Sequence, residues 1–171
     1  MKAIIVSDNH GNQPILQEIV EKYSGQVDAF FHTGDAEWRA SDADLAHHFI
    51  AVAGNNDWYY ELPDEEIVEV KGFKVLLTHG HRHNVYFGIN HLRELAQRTQ
   101  VDIVLFGHIH QQVAQYIDDV LFVNPGSISY PRGQRPRKSY AILEATSEKY
   151  TVTFIDEKHE PIKEMRYEFV R

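Results

Sequence analysis

Five apolar runs in this chain each end in a short polar cluster of one chemical kind. "KAIIVS" leads into "DNHG" with Asp8 and His10, "VDAFF" into "HTGD" with Asp35, and "IAVA" into "GNND" with Asn55, Asn56 and Asp57. "KVLL" leads into "THGHRH" with His79, His81 and His83, and "VDIVLF" into "GHIH" with His108 and His110. Short apolar runs bounded by turn residues fit buried strands. In α/β sheets, sites assemble at the carboxyl ends of strands, because the sheet holds those ends rigidly while the loops stay open.

Each cluster alone has a plain structural reading. Gly-Asp is a common turn pair, and "GNND" suits a turn because Asn, Asp and Gly tolerate left-handed backbone. A single Asp-x-His is turn chemistry more often than a ligand pair, and "GHIH" alone reads as a loop. Five in succession, all carrying the carboxylate, amide and imidazole groups that divalent metals accept, point to a metal centre. Unpaired Asp and His crowded at one end of a core are unfavourable unless something pairs them, and a cation does so directly.

Helical and hairpin signals fill the spaces between. Residues 12–24 put Ile15, Leu16, Ile19, Val20 and Tyr23 at helical spacing, with Asn12 as candidate cap and Pro14 in the first turn; 43–49 is a short helix and 88–100 an amphipathic one. Residues 65–80 read as two strands joined at Lys71-Gly72, 112–127 as a hairpin turning at Asp118-Asp119, and 139–156 as alternating strands around Ser147-Glu148. Strand and helix alternate through the first two-thirds, and hairpins follow. Residues 129–139, "SYPRGQRPRKS", form an exposed basic loop, and His159 falls in a tail.

Length and composition bound the rest. The 171 residues are most simply one domain spanning 1–171, with 43% hydrophobic and 25% charged residues. No run approaches the ~20 apolar residues of a membrane span, and the N-terminal run is too short for a signal peptide, which predicts a cytoplasmic protein. Zero cysteines exclude disulfides, thiolate ligands and a Cys nucleophile. A net charge of −8 argues against a dedicated nucleic-acid coat but not against a phosphodiester-cleaving enzyme, where metal ions supply local positive charge.

The series D-x-H, G-D, G-N, H-G-H and G-H-x-H, with the later "NPGS" at 124–127, resembles the calcineurin-like metallophosphoesterases, and among them the small bacterial and archaeal phosphodiesterases. The resemblance implies an α/β fold, a four-layer α/β/β/α sandwich of two mixed β-sheets, with two metals at one edge. It implies that Asp8, His10, Asp35 and His110 hold one metal and Asp35, Asn55, His79 and His108 the other, with Asp35 bridging. The two histidines of "GHIH" would thus serve different ions. Mixed oxygen and nitrogen ligands suit Mn²⁺, which is favoured, with Fe²⁺, Zn²⁺ and Ni²⁺ as alternatives, over an all-oxygen Ca²⁺ or Mg²⁺ site.

The implied activity is hydrolysis of a small phosphoester, foremost a phosphodiester, by in-line attack of a hydroxide bridging the two metals. Asn55 would also orient a phosphoryl oxygen, and His81 would face the substrate. Arg82 and His83 read as solvated, and His32 as a core residue near the site. His47, His48 and His91 belong on helix surfaces. Trp38, Trp58, Tyr59 and Tyr60 either line a substrate cleft or pack in the core or at the rim, and "NPGS" shapes the loop beneath the metals, with Ser127 not a nucleophile. Asn56 departs from the pattern of larger relatives, which carry a histidine there as proton donor; an amide cannot act as a general acid at neutral pH. The alternatives are a metal-binding interaction scaffold of the same fold and a phosphomonoesterase.

Overall fold

The computed structural model describes residues 1–171. In chain order the elements are β1 Lys2–Val6, α1 Gln13–Tyr23, β2 Ala29–His32, α2 Ala43–Ala46, β3 Phe49–Ala51, β4 Glu65–Val70 and β5 Phe73–Thr78. They continue with α3 Asn90–Thr99, β6 Ile103–Leu105, β7 Gln112–Ile117, β8 Val120–Pro125, β9 Tyr140–Ala145, β10 Lys149–Ile155 and β11 Pro161–Val170. Short 3₁₀ turns cover Ala40–Asp42, His81–His83 and Val85–Phe87.

Two sheets form, in the orders β11-β10-β9-β1-β2-β3 and β4-β5-β6-β8-β7. β1, β2 and β3 run parallel, as do β5, β6 and β8. The period of two along each strand explains the layering. Ala3 and Ile5 of β1 meet Val75 and Leu77 of β5 and Ile103 and Leu105 of β6 in a core between the sheets. Ile4 and Val6 face the other way, onto Ile15, Leu16 and Ile19 of α1. Leu76, Val104 and Phe122 face Leu92, Leu95 and Ala96 of α3. The order is therefore helix, sheet, sheet, helix, as expected. The central strands are buried on both faces, which is why they read as continuous apolar runs.

The hairpins turn where the sequence places them. Lys71-Gly72 and Asp118-Asp119 both have left-handed φ at the two central positions (52° and 80°; 52° and 62°). That is the turn whose twist matches two antiparallel strands. Other expectations are corrected. Residues 43–49 hold only one helical turn, Ala43–Ala46, and His47 and His48 lie exposed beyond it. Asn12 occupies the N-cap of α1, but its side chain makes no capping bond. The tail is a strand: β11 pairs with β10, and His159 sits in the turn between them, against the Tyr140 hydroxyl at 3.1 Å and Glu18 at 3.3 Å.

Leu105 is fully buried where the sheets meet. Leu105→Ala should lower the unfolding free energy by about 2–5 kcal/mol, the range for a large core side chain cut to a methyl. Urea denaturation of the metal-free protein measures this, and a loss below about 1 kcal/mol would show that the sheets do not close tightly there.

Candidate metal centre

All five polar clusters meet at one edge, where the carboxyl ends of β1, β2, β3, β5 and β6 converge. Backbone bonds lock the loops to each other: Asp8 N–H donates to Gly34 O, His10 N–H to Asp35 O and Gly107 N–H to His79 O, each at 3.0 Å. Asp8, His10, Asp35, His108 and His110 all have left-handed backbone, with φ between 45° and 71°. Such conformations are uncommon outside glycine, but Asp, Asn and His reach them most readily. Strain of this kind concentrates at functional sites, where the surrounding structure enforces it.

The ring nitrogens settle what the site wants. His10 Nδ1 lies 2.8 Å from Glu37 Oε1, His110 Nδ1 2.6 Å from the Tyr130 carbonyl and His79 Nδ1 2.7 Å from the Thr33 carbonyl. These partners only accept, so each Nδ1 is the donor there, and each Nε2, the atom a metal would take, is turned inward. Those Nε2 atoms crowd other polar atoms. His10 Nε2 is 3.3 Å from His110 Nε2, and His110 Nε2 is 3.1 Å from Asp8 Oδ1, a buried oxygen with no hydrogen-bond partner. His79 Nε2 is 3.2 Å from Asn55 Oδ1, 3.5 Å from Asp35 Oδ2 and 3.9 Å from Asp8 Oδ1. Groups this close are relieved by a proton on an imidazole or by a metal cation among them. Outer acceptors on the ring N–H groups are also the usual way metal-binding imidazoles are aimed.

Two triads have ligand atoms within 4.8 Å of one another: Asp8, His10 and His110; and Asp8, Asp35 and His79. Asn55 joins the second through its amide oxygen. Asp8 is thus common to both triads, while Asp35 Oδ2 lies 3.8 Å from His10 Nε2 and so also faces both groups. His108 stands beside the second triad, its ring 5.1 Å from that of His79, but belongs to neither. His81 is adjacent, 5.4 Å ring to ring from His79, and its buried Nδ1 has no partner.

Burial alone would raise the pKa of Asp8, but His110, His79 and Ser7 outweigh it and hold the carboxyl below the usual range. Asp35 is likewise pulled down against its burial, by His79 and by two N–H groups of Asn56. Burial would lower His79, but Asp35 and Asp8 overcome it and raise its pKa. The two carboxylates stay ionised and draw positive charge to this spot. Burial pushes His108 down to about 4, which leaves it a neutral imidazole with a lone pair to offer.

The supporting shell was partly legible in the sequence: Asp57 as a loop holder, "NPGS" as a loop former and His32 as a core residue are as expected, and the role of Asn56 is not. Asn56 is the clamp of Asp35, donating its backbone N–H at 2.8 Å and its side-chain amide at 2.7 Å to the two carboxylate oxygens. Asp57 accepts from the backbones of Asp35, Gly54 and Glu37, tying the β2 and β3 loops together. Ser127 is fully buried, donates to the Asp8 carbonyl and accepts from the Ser129 and Tyr130 backbones, so it shapes the loop and is no nucleophile. His32 is buried and neutral, its pKa pushed down to about 4, and it links Gly34 to Asn9. His83 is not solvated: it pairs with Glu65 at 3.0 Å. Arg82 is exposed and meets Asp64, and His91 lies exposed on α3. Trp38 is core, packed on His32 and Phe49, whereas Trp58 and Tyr59 are exposed at the rim.

Gly54 and Gly107 have no room for a side chain: a methyl at either would run into Asp35 or into Ser7 and Asp8. Gly107→Ala should therefore displace Asp8 and lower metal affinity more than it lowers stability. Asn56→Ala should leave the fold intact and weaken metal binding about 10–100-fold, the usual effect of losing a partner that orients a ligand. Calorimetric metal titration beside a thermal melt separates the two quantities; unchanged affinity in Asn56→Ala would remove Asn56 from the centre.

The sequence matches the family model of the calcineurin-like phosphoesterase superfamily domain over residues 1–148. It is 32% identical to the probable metallophosphoesterase YsnB of Bacillus subtilis, covering 97% of both chains. It is 31% identical to phosphodiesterase MJ0936 of Methanocaldococcus jannaschii, over 74% of this chain and 83% of that one. Among solved structures it resembles a predicted phosphoesterase of Streptococcus pneumoniae TIGR4 with a TM-score of 0.95 and 37% identity, covering 99% of this chain and 97% of that one.

Proposed function

Since the chain belongs to the calcineurin-like phosphoesterase superfamily, we propose that it is a phosphodiesterase working with two divalent metal ions. The observation that supports this is the convergence on Asp8 Oδ1, buried without a hydrogen-bond partner, of the Nε2 atoms of His10, His79 and His110 at 3.9, 3.9 and 3.1 Å. Asp8, His10, Asp35 and His110 would hold one ion; Asp35, Asn55, His79 and His108 the other, with Asp8 within reach of both. The mixed donor set favours Mn²⁺, and the cysteine-free composition suits the reducing cytoplasm. When bound, the ions supply Lewis acidity and a water acidic enough to attack at neutral pH.

The chain's own groups do the rest. Asn55 is exposed at the rim. With its Oδ1 turned toward His79 Nε2, its Nδ2 is left to donate to a phosphoryl oxygen. His81 has a buried ring nitrogen without a partner, placed beside His79 and His108, where it can hydrogen-bond the incoming ester. Asn56 cannot protonate a leaving oxygen, and both its N–H donors serve Asp35.

Metal-stripped protein should be inactive and regain activity on bis-aryl phosphodiesters with Mn²⁺. Asp35→Asn should lose most of that activity and weaken both sites; full metal occupancy with unchanged turnover would sink the ligand assignment. Metal binding with no turnover on any phosphoester would instead leave a binding scaffold. A second outcome concerns the leaving group. General-acid help is worth about 10²–10⁴-fold, most for basic leaving groups. Without it, log kcat/KM should fall steeply as leaving-group pKa rises, so aryl diesters are cut far faster than alkyl ones. A flat dependence, with chemistry rate-limiting, would mean that another residue donates the proton, and His81→Ala tests which.

A further inference from the structure

We propose that the mouth of this centre is shaped for a nucleoside phosphoester, its base lying on a shelf of Trp58 and Tyr59 and its phosphate oxygens taken by Arg132. The inference rests on the hydrolase reading for the position of the phosphate.

The shelf comes first. Trp58 is 88% exposed and Tyr59 68%, large rings left in water beside the centre rather than in a core. They line a cleft together with Glu37, Arg39 and Asn56. That cleft begins one side chain away from the ligands, because Glu37 holds His10 and Asn56 holds Asp35. Ring faces alone would suit any aryl group. Here they stand beside the Asn56 amide oxygen, the second Glu37 oxygen and the Arg39 guanidinium, which has no ion pair. Such groups complement the donor and acceptor edge of a nucleobase, and a hydrocarbon ring would leave them unsatisfied.

Arg132 is tied to the histidines of the centre that the cleft does not line. Its backbone N–H donates to the His110 carbonyl at 2.9 Å, and its Nη1 donates to the Tyr86 hydroxyl at 2.8 Å. The Tyr86 ring in turn meets His108 edge-on at 4.9 Å. Arg132 is thus fastened over both histidines of "GHIH". Arg82, Arg93, Arg166 and Arg171 face carboxylates; Arg132, like Arg39, Arg98, Arg135 and Arg137, does not, and its side chain meets only the neutral phenol of Tyr86. Its planar fork of donors matches phosphoryl oxygens, and the nearby carboxylates of the site make such a cation useful to an incoming anion. Tyr86 acts through Arg132 and is a positioning residue.

The chain's two tryptophans make the test direct, because Trp38 is 3% exposed and Trp58 88%. Adenosine 5′-monophosphate, the kind of product such an ester leaves, is titrated into metal-loaded protein while Trp emission is followed, with phosphate release monitored in parallel. Saturable quenching is expected, with adenosine binding about tenfold or more weakly, the scale of a lost charge-assisted contact. Orthophosphate should displace the nucleotide. Arg132→Gln should weaken nucleotide binding about tenfold, the scale of one lost charge-assisted contact, without changing adenosine binding, and Arg132→Lys should restore part of it. Tyr86→Phe should weaken the nucleotide only. Trp58→Phe should keep its circular dichroism and lose the signal. Unsaturable quenching, equal affinity for nucleotide and nucleoside in the wild type, quenching that survives Trp58→Phe, or an unchanged Arg132→Gln would each overturn the proposal. Turnover plays no part in this readout, so absent hydrolysis of diesters counts against the hydrolase reading alone.

Discussion

Three imidazoles turn their Nε2 atoms to one place because an acceptor outside each ring holds its Nδ1. For His79 that acceptor is the Thr33 carbonyl, which sits on the opposite sheet from β5. One hydrogen bond therefore orients a ligand and also joins the two sheets at their shared edge. His110 is held by Tyr130 of the loop after β8, and His10 by Glu37 of the loop after β2. Each ligand is aimed by a segment distant in sequence, so the centre exists only when the whole sandwich has closed. Metal affinity and folding are then one equilibrium, since ions that bind only the closed form add their binding free energy to its stability.

That closure demands close backbone contact. Gly107 passes against Ser7 and Asp8, and Gly54 against Asp35, at separations that admit no side chain. The glycines of G-N and G-H-x-H are therefore parts of the seam between loops. Asp57 completes the seam by accepting three backbone N–H groups, two of them from the loop that carries Asp35. The His108 N–H does the same for Asp8 from the other sheet, at 3.1 Å. Each candidate ligand carboxylate is held by a neighbour's backbone, which fixes its orientation before any ion arrives.

Side-chain type explains what was legible from sequence. The five polar clusters were readable because Asp, Asn and His are the residues that both tolerate left-handed backbone and bind metals, and they follow apolar runs. Helix α1 was readable from the spacing of Ile15, Leu16, Ile19, Val20 and Tyr23, all of which are buried. Strand β11 was not. Ile162 and then Met165, Tyr167 and Phe169 alternate out of phase, because the pairing with β10 shifts register between Thr153 and Ile155 and Glu164 takes a φ of 71°. A bulge erases the period that a sequence reading relies on. The carbonyls of Thr33 and Tyr130 carry no residue signature at all, so the groups that aim His79 and His110 leave no trace in the sequence.

Asn56 shows the same limit from the other side. Beside its neighbours in the chain it looks like a missing proton donor, a loss. In the folded centre its backbone and side-chain N–H groups embrace both oxygens of Asp35, so that carboxylate is fixed in orientation, and they add to the pull of His79 that keeps it ionised despite its burial. A histidine at this position has no donor geometry equivalent to an amide aligned with its own backbone N–H. A chain that reads Asn here gains a rigid, fully charged ligand and gives up a mobile acid. Rigid carboxylates strengthen the hold on the ions and lower the barrier at the nucleophile and the phosphoryl oxygens, where the ions act. They do nothing for the departing oxygen. In a phosphodiesterase of the kind proposed, the Asn56 clamp would tie the strength of the metal centre to a preference for esters whose leaving groups need no proton.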